Sequence, residues 1–257
     1  MSGQGHLPPC ATANEQALNM PSTSTTTVKD VLKELESLGD EKRRQFNGKT
    51  GRDGIAGVPA DKQFGCKTGD LRKLAKKLKT DHELGLKLWK TGNMDAQMLA
   101  ILVMKPKELS AKELDTMVRE ARFSWVTDWL QSYIIKHQPD AEKDKLRKKW
   151  MKKSEKDSWV SRAGWHLAAS MINKGHDVGD VEALLDRLEK EMPKAKPETQ
   201  WTMNNTLGAI GMKHANHRKR AVAIGEKIGL YADWPKQKGC VSPYVPVWVE
   251  EMVKRES

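Results

Sequence analysis

The sequence predicts an all-α protein, and three observations carry that prediction. Apolar residues recur at three- and four-residue intervals from Val28 onward, the repeat of an amphipathic helix. Pro106, Pro139, Pro193, Pro197, Pro235 and Pro243 fall between those periodic stretches, where a residue lacking an amide proton belongs. No stretch alternates apolar and polar side chains as a half-buried strand would.

Taken in order, residues 1–27 are rich in Ser, Thr, Pro, Gly and Asn and end in Ser-Thr-Ser-Thr-Thr-Thr. With too few apolar groups to offset the entropy of ordering, they read as a disordered tail. Residues 28–257 read as one helical domain. Val28, Val31, Leu32, Leu35 and Leu38 line one face of its first helix. Residues 48–66 are Gly-rich and read as a long loop; no strand–turn–helix context makes its glycines a phosphate cradle. Thr68 reads as the N-cap of a helix over 70–78, with Leu71, Leu74, Ala75 and Leu78 turned inward. Asp81 opens the next, which carries Leu84, Leu88 and Trp89 and stops at Gly92. Further helices are predicted over 94–104, 110–121, 124–137, 140–152, 157–173, 178–192, 198–212, 216–229 and 245–255.

Helices of this length joined by short turns fit either a compact bundle or an α-solenoid of stacked pairs. One spacing favours the solenoid. Asp128, Arg162 and Trp201 fall 34 and 39 residues apart, close to the period of about 40 residues in HEAT-type helix pairs. Equivalent positions on successive inner helices would then line one concave wall.

Lys and Arg outnumber Asp and Glu 45 to 34, a net charge of +11. That excess suits a polyanionic partner, although solvated lysine-rich helix faces give the same total. Nine tryptophans stand against three Phe and three Tyr. Trp offers the widest stacking surface and the best face for a cation, while core filling is the plainer use of most of the nine. The three cysteines, Cys10, Cys66 and Cys240, are odd in number and form no CxxC pair, which argues against a zinc site or disulfide framework and for a reducing compartment. No apolar run has membrane-spanning length and no secretory leader opens the chain. An intracellular protein, cytoplasmic or nuclear, is expected, with no membrane partner and no cofactor.

The stretch from Ser124 to Trp165 concentrates the candidate chemistry. Asp128 sits between Trp125 and Trp129, and Arg162 between Trp159 and Trp165. At 3.6 residues per turn Trp125 and Asp128 share a helix face. Arg162 has the planar fork that suits a pair of phosphate oxygens, and Gly164 would permit close helix approach. The structural alternatives are an Asp128 paired with a neighbouring cation, an i,i+4 core pair of Trp125 and Trp129, and an arginine tying repeats together. Basic clusters lie at Arg72–Lys79, Lys143–Lys156 and Arg218–Arg220; a few of these cations are expected to meet a phosphate backbone, the rest to face solvent. His166, His214 and His217 lack a third ligand at helical spacing, so no metal site is read from them. Asn204-Asn205 inside a helix either borders a groove or caps a break.

Phe64-Gly65-Cys66, Leu71-Arg72-Lys73-Leu74-Ala75-Lys76, Glu83-Leu84 through Leu88-Trp89, Asp128 within its tryptophans and Arg162-Ala163-Gly164-Trp165 resemble, in that order, the DNA alkylation repair family of HEAT-like glycosylases, the AlkD type. The resemblance spans residues 28–257. It implies a right-handed α-solenoid of HEAT-like helix pairs with a concave basic face that grips duplex DNA. Such proteins remove N3- and N7-alkylated, cationic purines without drawing the base into a deep pocket. By the resemblance Asp128 is the catalytic carboxylate, with Trp125 and Trp201 beside it. Arg162 meets the DNA backbone, assisted by Lys76, Lys148 and Arg218. The implied partner is duplex DNA carrying alkylated bases, bound by a monomer. The chain departs from the family where an aromatic precedes the carboxylate by four residues: Ser124 stands there and Trp125 follows it. The downstream pattern can also be placed on Thr206 and Leu207 instead of Trp201. A non-catalytic DNA-binding repeat protein and a HEAT-like protein-interaction scaffold are the competing functions.

Overall fold

A computed structural model describes residues 26–235 and 239–256, so residues 1–25 of the tail expected over 1–27 lie outside them. The described residues are helical with no strand. Thirteen α-helices follow in order: α1 Val28–Ser37, α2 Glu41–Asn47, α3 Thr68–Leu78, α4 His82–Trp89, α5 Met94–Val103, α6 Ala111–Glu120, α7 Ser124–Trp129, α8 Asp140–Trp150, α9 Ser158–Asn173, α10 Val181–Glu191, α11 Pro197–Lys213, α12 Ala215–Ile228 and α13 Val245–Glu256.

Helix starts follow their capping chemistry. Thr27 with Asp30 and Ser110 with Glu113 form reciprocal capping boxes. Asp40, Asp81, Asn93, Asp157 and Asp180 accept amide protons at the starts of α2, α4, α5, α9 and α10. Pro197 opens α11, where its missing N–H costs nothing. Thr68 is not a cap: it is the first helical residue of α3, and Lys67 precedes it without a side-chain hydrogen bond. α2 buries none of its residues, so it carries no apolar periodicity by which the sequence would reveal it. The helix expected over 124–137 is helical throughout but not α throughout. After Trp129 the backbone widens into a π turn over Leu130–Ile134 and tightens into a 3₁₀ turn over Ile135–His137.

The helices form a stacked array. An inner row of α5, α7, α9 and α11 runs through the protein, and α4, α8 and α12 pack against α5, α9 and α11 respectively. α5 is buried over almost its whole length, as a helix apolar on every side must be. Gly164 brings α9 close to α8: a Cβ there would lie 3.0 Å from the Trp150 carbonyl carbon. Buried Gln131, just past α7, donates to the Ala163 carbonyl of α9 at 3.1 Å.

The Gly-rich segment is built rather than slack. The buried Asp95 carboxylate accepts the amides of Phe64, Gly65 and Cys66 at 2.6, 3.1 and 3.1 Å, which pins this stretch to the start of α5. Burial pushes the Asp95 carboxyl above its ordinary value despite those amides and Arg43. Upstream, Val58 N donates to Asn47 O at 2.9 Å and closes residues 48–57 into a compact loop. Gln63, 2% exposed, holds the base of that loop through Arg44 O, Val58 O and Asn47 Nδ2. The loop tip reaches α11. Gly54 has φ +78°, and a Cβ on it would press 3.3 Å from the Pro197 ring.

Candidate active site

Asp128 lies at the end of α7 and Arg162 in the second turn of α9. The guanidinium of Arg162 donates from Nη2 to Asp128 Oδ1 at 2.6 Å, from Nε to Thr127 Oγ1 at 3.0 Å and from Nη1 to the Glu198 carbonyl at 3.1 Å. One side chain thus ties α7, α9 and the first turn of α11 together, a task that needs a planar donor fork. The pair is strongly asymmetric, with the Arg162 side chain 1% exposed and that of Asp128 43% exposed. The cation lies inside and the anion opens outward. His166, four residues after Arg162 and on the same face of α9, brings Nδ1 to 3.6 Å from Asp128 Oδ1. Burial alone would push the Asp128 carboxyl up; the contacts with His166 and Arg162 outweigh it and hold Asp128 below its ordinary value of 3.8. At neutral pH the site presents a fixed carboxylate.

The role expected of Arg162 changes accordingly. Expected at a DNA phosphate, Arg162 is almost fully buried with three donors engaged inside the protein, the arrangement of an arginine tying repeats together.

The aromatics separate into two groups. Trp125, one turn before Asp128, is 42% exposed, and Arg43 Cζ stands 5.5 Å from its ring centre. Trp201 packs on Tyr231 at 5.4 Å and Trp234 at 5.9 Å between ring centres, and Trp234 lines the same cavity as Trp125. Trp125 and Trp201 are therefore connected through a ring that sequence reasoning did not single out. Trp159 lies beneath Arg162, 5.9 Å from Cζ. Trp129 turns the other way, onto Tyr133 at 5.3 Å and under Arg72 at 5.0 Å, so it does not frame the acid. Trp165 is buried against Arg187. Thr206 is fully buried, its hydroxyl within hydrogen-bond distance of the Trp165 and Thr202 carbonyls, which leaves Trp201 as the α11 residue in the aromatic cluster. Asn204 reaches the Pro243 carbonyl at 2.9 Å and ties α11 to the segment before α13.

Tyr231 is the most strained of these residues. It holds φ +64° without being glycine, and its buried hydroxyl has no hydrogen-bond partner among the described residues. Burial and the nearby Asp53 push its phenol well above the ordinary value. Backbone strain with an unsatisfied buried group is tolerated where the surroundings impose it, commonly at functional sites. His166, Thr127, Tyr231 and Trp234 were not foreseen. Only His166 had a signal in the sequence, its i+4 spacing from Arg162.

The other expected DNA contacts form no ion pair with Asp128 among the described residues. Lys76 is exposed on α3, beside Arg72 and Lys79 in a shallow basic depression. Lys148, on α8, is exposed and paired with Asp144 at 2.6 Å. Arg218 is spent on helix capping: its Nε and Nη2 donate to the Gly211 and Met212 carbonyls at 2.8 and 3.2 Å, at the end of α11.

A family model described as DNA alkylation repair enzyme matches residues 31–230. The chain belongs to that family. It is 28% identical over 172 residues to the uncharacterized protein Lin0241 of Listeria innocua serovar 6a, covering 65% of this chain and 72% of the relative. It is 26% identical over 173 residues to the uncharacterized protein Lmo0209 of Listeria monocytogenes serovar 1/2a, with the same shares. A solved structure from a new family of proteins related to the HEAT-like repeat DNA glycosylases, with affinity for branched DNA structures, superposes with a TM-score of 0.68 at 21% identity, covering 90% of this chain and 95% of that one. The fold is therefore the HEAT-like helical array that the sequence predicted.

Proposed function

We propose that this member of the DNA alkylation repair family binds duplex DNA and hydrolyses the N-glycosidic bond of N3- or N7-alkylated purines, with Asp128 as its carboxylate. The observation that carries the reading is the Asp128–Arg162 pair: a buried guanidinium holds an ionised carboxylate open to solvent, on the same short helix as exposed Trp125. An alkylated purine is cationic and already a good leaving group. When the C1′–N bond breaks, its electron pair goes to the base and neutralises it, and positive charge develops on the sugar. A preorganised anion at that point stabilises the oxocarbenium-like state. Water then adds to C1′ and gives up its proton to the carboxylate or to solvent, leaving an abasic site. Exposed aromatic faces add about 0.5–2 kcal/mol each toward a cationic base.

Incubating duplex DNA that carries 7-methylguanine with the wild type and with Asp128→Asn, and measuring free base, tests this directly. The expected result is release by the wild type and almost none by the variant. No release by the wild type removes the enzyme reading; equal release removes Asp128 from the reaction.

A second reading, DNA binding without excision, is favoured by Ser124, which puts no aromatic four residues before the acid, and by the affinity of the structural neighbour for branched DNA. Under it, the wild type retains the DNA on a gel and leaves the lesion intact.

A further inference from the structure

A cavity of about 440 Å³, not lined by Asp128, lies between the loop 48–57, the end of α2 and the start of α7. That volume lies within the range of about 300–1,000 Å³ typical of small-ligand sites. Its walls are ring-rich: Phe46, Phe123, Trp125 and Trp234 all line it, with Lys49 and Arg52 at its loop side. Phe46 is 70% exposed and Trp125 42% exposed, two of only three large apolar side chains left open among the described residues. Exposed rings gathered at one opening, where only one other large apolar side chain is exposed among the described residues, mark a place where something flat and apolar binds.

The charges beside the cavity identify that partner further. Arg43 stacks over Trp125, and its Nε is buried with no hydrogen-bond partner. No carboxylate lies within ion-pair distance of Arg43 or Arg52 among the described residues. Asp53, the one acidic side chain in the lining, accepts the Ile55 amide at 3.0 Å. Aromatic faces next to cations with no carboxylate at ion-pair distance are what a nucleobase on its phosphate backbone requires, and stacking tolerates any base. The loop that closes the cavity is fixed at its base by Gln63 and leans on Pro197 at its tip, so the space does not depend on a mobile cover.

We propose that this cavity holds one unpaired nucleobase of the bound DNA, stacked on the rings of Trp125 and Phe46. Because Asp128 does not line it, the base held here is not the one whose bond Asp128 faces; it is a neighbour or an opposing base displaced from the duplex. The proposal rests on DNA binding but not on excision.

The experiment compares three duplexes of equal length by fluorescence anisotropy: fully paired, with a single-nucleotide bulge, and with a bulge whose nucleotide is an abasic analogue. The wild type is expected to bind the base-bearing bulge at least about fivefold more tightly than the abasic bulge, as one stacked base warrants. Phe46→Ala, at an exposed position, and Trp125→Ala are both expected to lose that preference. Phe46→Ala is expected to keep its affinity for paired duplex, with unchanged circular dichroism. Equal affinity of the wild type for both bulges, with paired-duplex binding intact, overturns the proposal alone. So does a preference that survives both variants. Failure of the wild type to bind any of the three overturns it together with the proposed function and leaves a protein side chain as the better occupant of the rings.

Discussion

α7 and α8 each set charge beside tryptophan, yet the structure uses them differently. On α8 the charges neutralise one another: Lys143 pairs with Asp140, Lys145 with Glu142, Arg147 and Lys148 with Asp144, and Lys149 with Asp115 on α6. Trp150 is buried, and its indole N–H is satisfied by Asp115. At the end of α7 only one partner is hidden. Arg162 is enclosed and fully employed, while Asp128 keeps a face to solvent with exposed Trp125 a turn away. The density of charge is higher on α8, and Lys143 there is hidden beside exposed Asp140 much as Arg162 is beside Asp128. What sets the Asp128 pair apart is that its cation comes from a different helix and is also held by Thr127 and the Glu198 carbonyl, whereas Lys143 pairs within its own helix.

The comparison can be sharpened by substitutions in each region. The largest expected effect is on chemistry. Asp128→Asn is expected to lower single-turnover release of 7-methylguanine by about 100-fold or more, the size expected when a preorganised electrostatic group is removed. Arg162→Ala is expected to destabilise the protein by about 2–4 kcal/mol in urea unfolding, since it strips partners from Thr127, Asp128 and the Glu198 carbonyl. It should slow release as well. Trp201→Ala, which removes one ring of the Trp201–Tyr231–Trp234 cluster, is expected to reduce release about tenfold with little loss of paired-duplex affinity. Lys148→Ala on α8 is expected to change stability by less than about 0.5 kcal/mol, as for an exposed ion pair, and DNA affinity by no more than about twofold. A Lys148→Ala effect as large as that of Asp128→Asn would break the contrast.

The pH dependence follows from the lowered Asp128 carboxyl. A carboxylate held below its unfolded value stabilises the fold at pH above that value, and the contribution disappears as pH falls through the folded one. Between pH 5 and 8 Asp128 is therefore expected to stay ionised. Urea midpoints of the wild type and of Asp128→Asn should differ across that range and converge only as pH drops below about 3.8. Convergence beginning near pH 6 would contradict the assignment.

Most of the fold was legible because amphipathic helices and their caps are local. Val31 and Leu35, Leu71 and Leu74, and Leu84 and Leu88 are buried as their spacing required. The short α2 was not legible, since it buries nothing, and neither was the π turn after Trp129, whose backbone widening has no sequence signature. In the site, Asp128 and Arg162 stood out by spacing and resemblance, but the direction of Arg162 did not. Whether a guanidinium faces DNA or the protein is decided by Thr127 and the Glu198 carbonyl, which are neighbours only in space. Trp234 and Tyr231 lie outside any periodic pattern and reach the site through a turn after α12, which no helical spacing anticipates.

The central claim is that Arg162 and Asp128 act as one unit, the cation serving the reaction only through the acid it holds. The most direct measurement is a double-mutant cycle of Asp128→Asn and Arg162→Ala on single-turnover release of 7-methylguanine, at a temperature where all four proteins are folded. The claim predicts that the double variant is no slower than Asp128→Asn alone, because the second substitution has nothing left to disturb. Losses that add in full would show Arg162 acting on the DNA independently of Asp128 and would contradict it.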